Sequence, residues 1–321
     1  MKTRNLLVGA LMGLGLIGSS LAAAPLAKFQ AAGFYRLTVG DFEVTALNDG
    51  TVALPISKLL SNPAGPDASS KALARSFLAD PVETSVNAYV VNTGAKLVLI
   101  DTGAGPLFGP SLGKLVAALK ASGYQPEQID EIYITHMHPD HVGGLGQSDK
   151  LVFPNATLRA DKRDAEFWLS QANLDAAPAD NKGFFQGAQA SVNPYVKAGK
   201  FKAFDGGTDL VAGVKSQATY GHTPGHSFFV VESKGEKMVL WGDVMHAAAV
   251  QFAAPAVTIA FDADSKNAYE QRAKAYADAA DKGYLIGATH LPFPGIGRLR
   301  AAEGGAYVFV PANWSNGQPQ P

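Results

Sequence analysis

Apolar and polar residues alternate along Tyr35-Arg36-Leu37-Thr38-Val39, pause at Gly40-Asp41, and alternate again along Phe42-Glu43-Val44-Thr45-Ala46-Leu47. A period of two with a short Gly-Asp break predicts a β-hairpin. A second strand pair is predicted at 86–92 and 96–100, turning at Thr93-Gly94. Between them, 61–70 reads as loop by its Pro, Gly, Asn and Ser content. The period then lengthens. Leu112, Leu115, Val116 and Leu119 recur at helical spacing and predict a helix over 112–122. A strand is predicted at 129–135, a helix at 161–171 with Asp161 as its cap, and a helix at 183–196. Strands follow at 211–219, 227–232 and 238–241. The stretch 266–282 gives the longest helical signal, amphipathic and rich in Ala, before a last strand at 284–288.

Two β-rich batches separated by helices imply two sheets face to face with helices outside, within one α/β domain over 33–321. Residues 23–32 read as a loose leader. Residues 1–22 carry the marks of a secretory signal: Lys2 and Arg4, an apolar run from Leu6 to Ile17, and small residues up to Ala24. That run is too short to span a bilayer, so export to a periplasm or the exterior is expected, with no membrane attachment afterwards.

Composition narrows the function. The 321 residues are 47% hydrophobic and 17% charged, with a net charge of −1, which describes a globular chain with a large core. No dense Lys/Arg cluster follows the N-terminus, which argues against nucleic acid as a partner. There is no cysteine and no Gly-x-Ser-x-Gly elbow, which removes thiolate nucleophiles, disulfides and the usual acyl-enzyme serine.

What remains is metal chemistry. Three of the seven histidines fall in His136-Met137-His138-Pro139-Asp140-His141, directly after the strand predicted at 129–135. Imidazole and carboxylate are the ligand set of zinc and similar borderline ions. Alternate positions put His136 and His138 on one side of an extended segment. Asp140 and His141 follow on a turn set by Pro139 and released by Gly143-Gly144. Four ligands at this density are too many for one open catalytic ion and point to two ions side by side. Three further strand ends complete the set: His222 before the turn Thr223-Pro224-Gly225-His226, Asp243 after Val239-Leu240-Trp241-Gly242, and His290 after Ala288-Thr289. His136, His138 and His222 would suit one ion, and Asp140, His141 and His290 the other, with Asp243 bridging and a hydroxide in the remaining shared position. Asp101 and His226 are expected to support ligands rather than bind metal.

The pattern His136-x-His138-x-Asp140-His141, then His222, Asp243 and His290, resembles the ligand set of the metallo-β-lactamase superfamily, and Asp101-Thr102-Gly103 resembles its early Asp motif. Longer stretches, among them 132–145, Phe167-Trp168-Leu169-Ser170-Gln171 and 290–297, resemble the methyl parathion hydrolases within it. The resemblance implies an αββα sandwich, a homodimer and a centre of two divalent metal ions, zinc in the first place, with cobalt, manganese or iron also accepting these donors. It implies a substrate pocket lined by Phe108, Trp168 and Phe184. His246, also expected in the pocket, stands three residues after the bridging Asp, where the quorum-quenching lactonases carry Tyr. Asp243 itself argues against true β-lactamase activity. The expected reaction is attack of the bridging hydroxide, held by Asp243 and Asp140, on a small neutral aromatic ester. Aryl phosphotriesters lead, a lactonase or arylesterase using the same centre is the alternative, and a non-catalytic metal-binding protein comes third.

Overall fold

The computed structural model describes residues 24, 26–146 and 150–315. The expected secretory signal lies outside them. Residues 32–321 cluster as one compact unit, separate from 1–31, whose described residues carry neither helix nor strand.

The first sheet holds β1 (Phe34–Val39), β2 (Phe42–Leu54), β3 (Val82–Asn92), β4 (Leu97–Ile100), β5 (Glu131–Tyr133) and β6 (Thr157–Arg159), side by side in that order. The hairpin forms as the alternation predicts, with Val39 opposite Phe42 across Gly40-Asp41. Pairing is antiparallel as far as β4, then parallel from β4 to β5 and from β5 to β6. The second sheet holds β7 (Asp209–Val211), β8 (Val214–Ala218), β9 (Ser227–Ser233), β10 (Glu236–Leu240), β11 (Leu285–Gly287), β12 (Ile296–Ala301) and β13 (Tyr307–Pro311), again neighbours in chain order. Here the pair β10–β11 is parallel, and the helix Ser265–Lys282 makes that crossover.

Side-chain alternation sorts these strands into layers. Tyr89 and Val91 of β3 and Val98 and Ile100 of β4 meet Phe229, Val231, Met238 and Leu240 of the second sheet in the central core. Their neighbours Ala88, Val90, Leu97 and Leu99 face outward, under Leu115, Leu119 and Val192 of two helices. Phe228, Val230, Val239 and Trp241 face the other way, under Ala275, Tyr276 and Ala279 of the helix Ser265–Lys282. Strands buried on both faces read as apolar runs. Each fully buried side chain of this size contributes roughly 1.5–3 kcal/mol. The result is the expected αββα sandwich.

Four local expectations need correction. The loop predicted at 61–70 ends early. Gly65, with φ +105, reverses the chain and Pro66 opens the helix Pro66–Arg75, whose first turn tolerates a residue without an N–H. The helix predicted from 112 begins at Leu115, because Gly113 takes φ +80. The helix predicted at 161–171 stops at Trp168, and Ser170 caps a second helix, Gln171–Ala176. The strand predicted at 211–219 is two antiparallel strands joined at Ala212-Gly213, and Gly213 is required there because it takes φ +80 and a Cβ on it would strike the Phe42 ring at 2.4 Å.

Candidate metal centre

The first ligand loop leaves β5 and is held extended as far as His138, which has φ −66 and ψ 150. It then coils through the single turn Pro139–Val142. This is why two ligands share one side of the chain and the next two sit on a turn. The loop is pinned from behind. Gly144 passes so close to the chain that a Cβ on it would lie 1.8 Å from the Thr102 carbonyl oxygen, so only glycine fits. The other ligands come singly from the second sheet: His222 between β8 and β9, Asp243 after β10, and His290 after β11.

All seven converge as two groups with a shared member. Ligand atoms of His136, His138, His222 and Asp243 lie within 4.8 Å of one another, and so do those of Asp140, His141, Asp243 and His290. His136 Nε2 and His222 Nε2 stand 3.7 and 3.5 Å from Asp243 Oδ2, and His222 Nε2 stands 3.2 Å from His138 Nδ1. On the other side, His141 Nε2 is 3.2 Å from Asp243 Oδ1, and His290 Nε2 is 3.4 Å from Asp140 Oδ2 and 3.1 Å from Asp243 Oδ2. Asp243 thus presents one oxygen to the second group while the other faces both.

The cluster is incomplete as a set of hydrogen bonds. His136 Nε2, His141 Nε2 and Asp243 Oδ1 are buried without a hydrogen-bond partner. Leaving such groups unpaired costs roughly 1–3 kcal/mol each, more if charged. Donors crowded at these distances with unused lone pairs fit a pair of cations.

Electrostatics divides the two groups. Burial, together with repulsion from the other imidazoles, holds His136 and His138 well below the ordinary histidine range, so their rings are neutral donors. Burial also pushes the Asp243 carboxyl upward, but His141, His290 and His246 outweigh it and keep it ionised, well below the usual carboxylate range. His141 and His290 go the other way. Burial lowers them, yet the carboxylates of Asp243 and Asp140 outweigh it, and His290 is raised to about 10. The negative potential that draws a proton there is the potential a dication would meet.

Outer contacts aim the ligands. Asp101 Oδ2 lies 2.8 Å from His141 Nδ1, while its oxygens also accept the Thr135 N–H and hydroxyl. His290 Nδ1 faces the Ser85 carbonyl at 2.9 Å. His226 accepts the Asp243 N–H on Nε2 at 3.1 Å and meets Thr219 Oγ1 on Nδ1 at 2.8 Å, so it holds the bridging residue's backbone. The sequence reading placed both Asp101 and His226 in supporting positions. It missed Asp262, whose Oδ1 lies 2.9 Å from His222 Nδ1. Asp262 sits in an irregular segment after the two-residue strand Thr258–Ile259, with no motif to mark it. Such a carboxylate fixes the tautomer of a ligating imidazole and raises its basicity.

An aromatic wall adjoins the first group. Trp168 meets His138 edge-on at 5.2 Å, and Phe184 lies 5.0 Å from the same ring. Phe261 continues the wall, 6.3 Å from Phe184 and 6.1 Å from His246. His246 is buried, stacks on His290 at 5.2 Å, and puts Nε2 3.0 Å from Asp243 Oδ2. Phe108 is 45% exposed and makes no ring contact among the described residues.

The sequence model of the metallo-beta-lactamase superfamily matches residues 81–299, more than half of the chain and all seven candidate ligands. The chain belongs to the metallo-beta-lactamase superfamily. Within it, an N-acyl homoserine lactonase of Bacillus cereus is 28% identical over 127 residues, 40% of this chain and 42% of the lactonase. A Beta-lactamase-like protein 2 homolog of Caenorhabditis elegans is 37% identical over 82 residues, 24% of this chain and 26% of the homolog. The chain therefore spans about two fifths or less of the length of these curated relatives. Two solved structures are similar over far more. Hydrolase AbOPH of the beta lactamase superfamily shares 39% identity at a TM-score of 0.85, over 90% of this chain and 100% of its own. AidC, a dizinc quorum-quenching lactonase in complex with an N-acyl-L-homoserine product, shares 28% at 0.80, over 89% and 99%.

Proposed function

We propose that this chain is a binuclear-metal hydrolase of neutral esters, with lactones as its first substrate class. The observation that carries the reading is the paired donor cluster built around Asp243, its buried lone pairs unused, beside a wall of aromatic rings. Two divalent ions bound there would lower the pKa of a shared water to ~7 and polarise the ester oxygen.

The chain's own residues supply the rest. Asp243 and Asp140, both kept ionised, provide the negative charge that retains the cations. Trp168, Phe184 and Phe261 offer apolar surface to the part of the substrate that does not react. His246 sits in the pocket wall with Nε2 3.0 Å from Asp243 Oδ2 and its ring stacked on His290, so it shapes the wall beside the shared carboxylate. Asp140, with 19% of its side chain exposed, marks the side open to water. The ligand motifs carry no Lys or Arg to clamp an anionic phosphate, which favours uncharged substrates.

Lactones move ahead of the aryl phosphotriesters favoured by sequence resemblance because named relatives are lactonases, one of them similar across nearly the whole chain. Phosphotriester hydrolysis stays as the second reading. It is supported by the aromatic wall, which suits an aryl leaving group, and by His246 where the quorum-quenching lactonases carry Tyr. Side-by-side kcat/KM values for an N-acyl homoserine lactone, an aryl phosphotriester and an aryl acetate on metal-loaded protein test the order. The lactone is expected to be the best substrate. A hundredfold preference for the phosphotriester would reverse the order, and no turnover of any of the three would reject the hydrolase.

A further inference from the structure

The two ligand loops that meet in the first group come from different sheets, and one side chain joins them. Asp164 is fully buried on the helix Lys162–Trp168. Its Oδ2 accepts the N–H of Met137, the residue between His136 and His138, at 2.8 Å. Its Oδ1 accepts the N–H of Gly225, in the turn between His222 and His226, at 2.6 Å. Gly225 has been left room for this approach and no more, since a Cβ there would lie 2.4 Å from the Asp164 backbone nitrogen. The far end of the same helix carries Trp168, edge-on to His138. A buried carboxylate is expensive, and a core that needed only packing would hold a neutral side chain more cheaply. What a carboxylate does here that an amide does not is accept two N–H groups at once, one on each oxygen.

We infer that Asp164 is a positioning residue for the first metal half-site: it sets the spacing between the His136–His138 pair and His222, and the second half-site does not depend on it. The inference rests on the two-metal reading above. Asp140 and His141 of the second group share the loop of Met137 but sit on its helical turn, which has its own anchors: the Thr102 N–H and hydroxyl donate to the His141 carbonyl at 2.8 Å, and Asp101 Oδ2 lies 2.8 Å from His141 Nδ1. His290 comes from the other sheet, and among the described residues Asp164 has no hydrogen bond to any of the three. An Asp164→Asn change leaves one of the two amides facing an NH2 group. The expected consequence is a half-site-selective loss, with one ion bound as in the wild type and the other weakened about 10–100-fold.

Titration of the metal-free full chain with cobalt(II), followed by its visible absorption, reads the two binding phases separately. Wild type is expected to show two, and Asp164→Asn one unchanged phase and one weakened phase. Glu166→Gly, at a solvent-exposed position in the middle of the same helix whose side chain pairs with Lys162 at 3.8 Å, weakens the helix through the low helix propensity of glycine. It is expected to keep both phases and so reports general loosening. Two wild-type phases in Asp164→Asn, or equal weakening of both phases in both variants, overturns the inference. A wild type that binds fewer than two ions refutes the two-metal reading instead. If Asp164→Asn does not fold, amide exchange in the wild type reads the same link: Met137 and Gly225 are expected among the slowly exchanging amides, and fast exchange at either overturns the inference.

Discussion

The ligands of the first sheet and those of the second arrive in opposite ways. The loop after β5 delivers four in six residues, because an extended segment and one helical turn bring His136, His138, Asp140 and His141 to one surface within a single stretch of chain. The second sheet delivers His222, Asp243 and His290 from three separate strand ends, 84 residues or more from His138 and up to 205 residues from the chain segments that aim them. Local geometry makes the first set, and topology makes the second. The concentrated loop is therefore held as one unit by close backbone contacts such as Gly144 against Thr102, while the dispersed ligands are each aimed separately: His222 by Asp262, Asp243 by His226 and His290 by the Ser85 carbonyl.

That contrast can be broken at several points. The largest effect is expected at Asp243, the one residue both groups share. Asp243→Asn removes the shared charge, and kcat/KM is expected to fall by several orders of magnitude while circular dichroism shows the fold retained. Activity near wild type in a folded variant contradicts the shared-ligand geometry. Next come the supporting carboxylates. Asp262→Asn and Asp101→Asn are each expected to weaken one ion by about 10–100-fold, as read by competition with a chelator, and in different half-sites: the first group for Asp262 and the second for Asp101. The same half-site weakening in both would erase the distinction between the two groups. Smaller still are the wall residues. Trp168→Ala and Phe261→Ala are expected to raise KM for aryl or long-acyl substrates about tenfold with kcat nearly unchanged, the signature of lost ground-state binding. Phe108→Ala, at a ring 45% exposed and without a ring contact among the described residues, is expected to change KM less than twofold, within the ±0.5 kcal/mol usual for surface substitutions. An equal effect at Phe108 and Phe261 would return Phe108 to the wall.

What the sequence reveals follows the same division. Strands buried on both faces show as apolar runs, and the Ala-rich helix at 265–282 shows by its period, so the layers can be read in advance. The dense ligand loop is visible by itself, and the dispersed ligands become visible because each follows a predicted strand. Asp262 and Phe261 lie in an irregular segment whose place is set by backbone bonds from Ala260 to Leu59 and from Ala263 to His222, contacts with no local signal. The helix Pro66–Arg75 hides behind a run of loop-forming residues, because Pro66 is read as a breaker when it is in fact a first-turn residue. The strands β12 and β13, at the end of the second sheet, are missed for a related reason. They alternate, but around Arg298, Arg300 and exposed Val308 and Val310, so the pattern lacks a clear buried face.

Metal content measured on the purified chain, before and after chelation and alongside turnover of an activated ester, tests the central claim most directly. The account predicts two divalent ions per chain, loss of turnover when they are removed, and its return when they are restored. A single ion at full activity, or turnover that survives complete removal of metal, would contradict it.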